Sequence, residues 1–131
     1  MNLLLDTHIW IWNTLEPWRI SSEVNQALAD PENELWLSPI SIWELLTLLE
    51  KGRVILNEDI GAWIARSKQE LLLREAPVTW EVAEKLPSTL LGHRDPGDRF
   101  LVATARVLNL TLVTADERLM RVEGIRVLAN R

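Results

Sequence analysis

The chain has 131 residues, 47% of them hydrophobic and 25% charged, with a formal net charge of −5 and no cysteine. That length suits one domain with a sizeable core, and the lack of cysteine excludes disulfides, cysteine zinc sites and thiol nucleophiles together. No apolar run reaches the roughly 20 residues a membrane helix requires, and no basic segment precedes the first leucines as in a secretory signal, so a single cytoplasmic domain over 1–131 is expected.

The run Leu3-Leu4-Leu5 predicts a short strand buried on both faces. It stops at Asp6, and the apolar segment after Thr7 predicts a helix over 8–15, ended by Pro17. Ser21 or Ser22 caps a second helix reaching about residue 30, and Asp30-Pro31-Glu32-Asn33 is turn chemistry. Leu35-Trp36-Leu37 predicts the second strand. Ser38-Pro39 then opens a leucine-rich helix that Gly52 stops, although Ser41 with Glu44 forms a capping box that places the start a turn later. Asn57 is placed to cap a helix carrying Ile60, Trp63 and Ile64, and a third strand is expected within 71–78, centred near 76–78. Thr79 caps a short helix, and 87–94 reads as a loop. Asp95-Pro96-Gly97-Asp98 opens a long helix with a cap, a proline at the first position and an acid at the third; it runs to Asn109. Thr111-Leu112-Val113-Thr114 is a buried strand ending, like the first, near an acid, Asp116, and 125–128 forms a last edge strand. Strands alternating with helices predict an α/β fold: a parallel sheet between helical layers, in a three-layer α/β/α sandwich.

Four carboxylates fall at one edge of such a sheet, where strands end and helices begin: Asp6, Glu44, Asp98 and Asp116. Each has a local explanation as a cap, a capping-box acid or a partner for a helix dipole, but capping does not require distant acids to converge. Gathered together they repel, and a hard divalent cation, Mg²⁺ or Mn²⁺, relieves the conflict better than zinc would, since histidine pairs at ligand spacing are absent. Asp95 is a fifth candidate with a cap role, and Thr7 and Thr114 are placed to orient carboxylates. His8 and His93 read as structural or exposed. Of the seven tryptophans, Trp10, Trp12 and Trp43 read first as packing residues, then as an exposed apolar patch, and last as base-stacking rings.

Residues 1–91 carry 7 basic and 14 acidic side chains, whereas 92–131 carry seven arginines against five acids. Arginine suits phosphate, and Arg94 and Arg99, near Asp98, are candidates for holding phosphates at the rim of an acidic pocket.

The ordered set Leu4-Leu5-Asp6-Thr7, Ser38-Pro39-Ile40-Ser41-Ile42-Trp43-Glu44-Leu45, Asp95-Pro96-Gly97-Asp98-Arg99-Phe100-Leu101-Val102-Ala103-Thr104-Ala105 and Leu112-Val113-Thr114-Ala115-Asp116 resembles the PIN domain, and within it the VapC-type toxins of bacterial toxin–antitoxin pairs. The resemblance implies an α/β/α sandwich, and Asp6, Glu44, Asp98 and Asp116 as the catalytic acids around Mg²⁺ or Mn²⁺. It also implies a ribonuclease acting on structured RNA such as transfer RNA, a homodimer, and a cognate antitoxin whose C-terminal segment wraps over the groove. The negative pocket adds the expectation that this segment is basic and reaches the acids with an arginine, and that Arg94 and Arg99 hold RNA phosphates. Two phosphotransfer alternatives fail on single residues. Haloacid-dehalogenase-like phosphatases need an acid where His8 stands, and receiver domains need a late lysine, whereas the last lysine is Lys85. A non-catalytic domain that binds metal or peptide stays open at this point.

Overall fold

The computed structural model describes residues 1–89 and 95–131. Its five strands are β1 (Asn2–Leu5), β2 (Glu34–Leu37), β3 (Arg74–Glu75), β4 (Thr111–Thr114) and β5 (Arg126–Ala129). They pair in parallel in the order β3-β2-β1-β4-β5. β1 is the central strand, with Leu4 level with Trp36 on one side and Leu112 on the other. All three of its leucines are fully buried, as a strand covered on both faces requires.

The helices are α1 (Thr7–Leu15), α2 (Ser22–Ala29), α3 (Pro39–Glu50), α4 (Ile60–Glu70), α5 (Trp80–Glu84), α6 (Pro96–Leu108) and α7 (Glu117–Met120). Right-handed crossovers put α1 to α4 on one face while the chain moves outward from β1 to β3. When the chain returns to β4 on the other side of β1, the same handedness puts α5 to α7 on the opposite face. The packing follows this division. Leu3, Leu5, Leu35, Leu37 and Val113 form one core with Ile9, Trp10, Val24, Leu45 and Trp63. Leu4 and Leu112 form the other with Leu101, Val102, Ala105 and Leu119. The three-layer α/β/α expectation is therefore met. Among the described residues, no helix is long and apolar enough to cross a membrane.

The element boundaries differ from the sequence expectations at identifiable places. The third strand is Arg74–Glu75, inside the expected 71–78 but before 76–78. Ala76 still donates its N–H to the Leu37 carbonyl, but Pro77 has no N–H to continue the ladder. α4 is capped by Asp59 rather than Asn57. Ser38 caps α3, with Pro39 in its first turn, so the Ser41–Glu44 capping box does not form. Trp10 is fully buried, stacks at a tilt on Trp63 and donates from Nε1 to Ser67 Oγ at 2.7 Å. Trp12 is partly buried against the first core. Trp43, in contrast, is 54% exposed and is not a packing residue.

Candidate active site

In an open parallel sheet the ligand crevice lies beyond the carboxyl ends of the strands, where the winding reverses. Here that point lies between β1 and β4. Asp6 follows β1 directly, and Asp116 lies two residues beyond β4. The crevice is a pocket of about 490 Å³ lined by Asp6, Glu44, Asp95, Asp98 and Asp116, with His8, Trp12 and Arg118 among its other walls. The four acids expected to converge do so, and Asp95 joins them.

Asp6 is held from both sides. Its Oδ1 accepts from the Thr7 backbone N–H at 2.7 Å and its Oδ2 from the Thr114 hydroxyl at 2.6 Å. Thr114 Oγ1 also accepts from the Asp116 N–H at 3.0 Å, so one buried hydroxyl ties together the ends of β1 and β4. Burial pushes the Asp6 carboxyl above its ordinary value; Thr114, His8 and Thr7 pull it back, and Asp116 adds to the rise.

Glu44 is presented differently. It lies six residues into α3, beyond the reach of the helix's unpaired N–H groups, and it relies on a side chain for support. Thr7 Oγ1 lies 2.6 Å from Glu44 Oε1 and 2.8 Å from Ser41 Oγ. One hydroxyl carries one proton, and a carboxylate is the stronger acceptor, so Thr7 donates to Glu44 while Ser41 donates to Thr7. Burial pushes the Glu44 carboxyl up to about 7, against the Thr7 hydrogen bond, and Asp6, Asp95 and Asp98 push it further in the same direction. Its Oε2 lies beside the start of α6, at 2.7 Å from where a Cβ on Gly97 would stand.

Asp95 caps α6, accepting from the Gly97 and Asp98 N–H groups at 2.9 and 3.4 Å. Asp98, in the first turn, is buried. Asp116 caps α7 and is also gripped by Arg118: Nε to Oδ1 at 3.2 Å and a terminal nitrogen to Oδ2 at 2.9 Å. Asp6, Glu44, Asp95 and Asp116 are thus each turned toward local donors. Among the described residues, no three His, Cys, Asp or Glu side chains converge closely enough, as they stand, to hold a metal ion.

The two arginines expected at the rim fare differently. Arg94 lies outside the described residues, as does His93. The Arg99 guanidinium turns back to its own chain, donating to the carbonyls of Leu86 at 2.6 Å and Thr89 at 3.2 Å. It anchors the segment after α5 instead of facing the crevice, a correction to the expected phosphate contact. Sequence reasoning missed the support Ser41 gives Thr7 and Glu44 and the grip of Arg118 on Asp116. Ser41 had a usable signal, since it stands one helical turn before Glu44 and shares its face.

The PIN domain family model matches residues 3–125. The chain is 36% identical over 120 residues to Ribonuclease VapC22 from Mycobacterium tuberculosis, covering 89% of this chain and 88% of that protein. The fold resembles VapBC2 from Rickettsia felis bound to a DNA fragment from their promoter, with a TM-score of 0.72, 16% identity and full coverage of both chains. It also resembles DNA-bound VapBC from Salmonella typhimurium, with a TM-score of 0.65, 19% identity and 98% coverage of each chain. The reversal point of the sheet, the acids gathered at it and the match over nearly the whole length agree: the chain belongs to the PIN domain family.

Proposed function

We propose that this protein is a Mg²⁺- or Mn²⁺-dependent endoribonuclease, the toxin of a toxin–antitoxin pair, acting in the cytoplasm on structured RNA such as transfer RNA. The observation that carries the reading is the meeting of Asp6, Glu44, Asp98 and Asp116 in one crevice of a chain whose relative is named a ribonuclease.

The donor set fits a hard divalent ion. All the acids are oxygen ligands, and Asp6 and Glu44 are both pushed upward, first by burial and then by neighbouring acids, a strain that a cation among them would relieve. Mg²⁺ keeps several waters and needs only one or two direct carboxylates, which suits a roomy pocket whose acids stand apart. Asp6 and Asp98, the most deeply buried of the set, are the best-placed ligands; Glu44 and Asp116 complete the shell. When bound, the ion supplies positive charge against the phosphodiester and acidifies the water that attacks it.

The chain's own residues do the rest. Thr114 and the Thr7 N–H fix the Asp6 carboxylate in one orientation. Thr7 and Ser41 aim Glu44; Glu44 or Asp116, whichever the ion leaves unoccupied, would take the proton of the attacking water. The negative pocket also suits a basic partner, and the antitoxin is proposed to insert an arginine from its C-terminal segment among the acids. A homodimer is proposed with it.

The test is incubation of purified protein with transfer RNA, with Mg²⁺, with EDTA, and as Asp6→Asn. Cleavage is expected in the first sample alone. Cleavage that survives chelation or the substitution would show that another nuclease is responsible.

A further inference from the structure

Arg118 is the one Lys or Arg that lines the acid pocket among the described residues. It does not reach across the pocket at random. Its guanidinium takes both oxygens of Asp116 in a fork, at 3.2 and 2.9 Å, while 60% of its side chain remains in solvent. Asp116 is one of the four acids assigned to the cation, and its two oxygens are the atoms that would turn toward it. The acid is therefore occupied by an internal cation, on a side chain long and exposed enough to swing away.

The geometry points to Arg118 as an exchangeable latch. It holds Asp116 when the divalent ion is absent, is displaced from it when the ion enters, and then pairs with an RNA phosphate at the pocket mouth. The inference rests on the reading of the acids as a divalent-cation site in a nuclease. The energetics permit the exchange. An exposed ion pair shifts an equilibrium by about fivefold or less, so the fork is too weak to lock the ion out and strong enough to be measured as a competitor. Once released, the guanidinium matches phosphate oxygens with the same planar fork it presents to the carboxylate. It also supplies the rim cation that Arg99, tied to backbone carbonyls, does not.

Arg121 provides the internal control. It lies three residues along, carries the same charge, and pairs with Glu117 at 3.7 Å rather than with a site acid. The experiment compares the wild-type protein, Arg118→Gln, Arg118→Lys and Arg121→Gln. Mn²⁺ binding is titrated by electron paramagnetic resonance of the free ion. Binding of labelled transfer RNA is measured in Ca²⁺ across a salt series, with thermal melts to verify folding. Arg118→Gln is expected to tighten Mn²⁺ binding about two- to fivefold. It should also weaken RNA binding several-fold and reduce the salt slope by about 0.7 to 0.9, one phosphate contact. Arg118→Lys, which keeps the charge without the fork, should fall between, and Arg121→Gln should leave Mn²⁺ binding within a factor of about two.

Mn²⁺ binding unchanged or weaker in Arg118→Gln overturns the latch. Equal tightening in Arg121→Gln does so as well, because net charge alone would then explain it. RNA affinity and slope unchanged in Arg118→Gln overturn the exchange. Wild-type protein that takes Mn²⁺ but no RNA overturns the nuclease reading and the phosphate contact together, and the Mn²⁺ titrations then decide the hold on Asp116 by themselves.

Discussion

Glu44 gives the metal-free protein a stability that falls with rising pH. Its carboxyl stands at about 7 in the folded chain against 4.5 ordinarily, first because it is buried and then because Asp6, Asp95 and Asp98 surround it. Between those two values the folded protein holds a proton that the unfolded chain has released. Stability is therefore fully present below about 4.5 and is lost as pH rises through about 7. At 1.36 kcal/mol per pKa unit the ceiling is about 3.4 kcal/mol. The carboxylate keeps part of its surface in water, and solvent screening brings the expectation to about 2 kcal/mol. Glu44→Gln removes the titration while its amide oxygen still accepts from Thr7. Urea unfolding in EDTA at half-unit steps from pH 4.5 to 8 should show the wild-type protein losing about 2 kcal/mol relative to the variant. Asp6 shifts in the same direction, but it is common to both proteins and largely cancels in the difference. Parallel curves for the two proteins would refute the account, because Glu44 would then carry no proton that unfolding releases. Added Mn²⁺ should invert the trend, stabilising the wild-type protein more at pH 8 than at pH 5.5, since the ion competes with that proton.

Other residues around the crevice carry expectations of their own. Thr114→Val removes the hydroxyl that serves both Asp6 and the Asp116 N–H; it should cost about 1–3 kcal/mol in urea unfolding and abolish most cleavage, and Thr114→Ser should restore both. Thr7→Val deletes the hydrogen bond that holds the Glu44 value down, so the acid limb of the pH–rate profile should move to higher pH, and an unmoved limb would remove Glu44 from the role of base. Arg99→Ala frees the carbonyls of Leu86 and Thr89; it should cost about 1–2 kcal/mol of stability and leave the salt slope of RNA binding unchanged, whereas a slope reduced by about one would return Arg99 to the RNA.

The strand–acid–helix units could be read from the sequence because each is specified locally. Leu3 to Leu5 leave no polar residue to face solvent, so the strand must be covered on both sides. Pro39 and Pro96 sit in the first turns of α3 and α6, where a missing N–H costs nothing. Asn109 ends α6 in the left-handed region at φ 55°, a conformation its short polar side chain tolerates. What escaped was decided at long range. Ser38 and Ser41 are equally good caps on paper; Ser38 takes the role, and Ser41 spends its hydroxyl on Thr7, 34 positions away in the chain, a contact that local spacing does not show. Arg99 looked like a rim cation because it neighbours Asp98; its direction depends on carbonyls 10 and 13 positions earlier, which no spacing reveals. β3 is only two residues long, too short for a periodic signal, and its end is set by Pro77 rather than by the apolar residues around it.

Cap and site acid turn out not to be competing roles. Asp6 is the cap of α1, Asp95 of α6 and Asp116 of α7, and Asp98 lies in the first turn of α6. Such positions supply backbone N–H groups and the positive end of the peptide dipoles, which is how the starts of α1, α6 and α7 can gather four carboxylates at one crevice. Glu44 is the exception. Six residues into α3 it caps no helix; the Thr7 hydroxyl holds it beside the start of α6, and it is the acid pushed to about 7. Burial raises the Asp6 carboxyl despite its cap and raises Glu44 to about 7, so Glu44 is the group poised to exchange a proton near neutral pH in the metal-free protein.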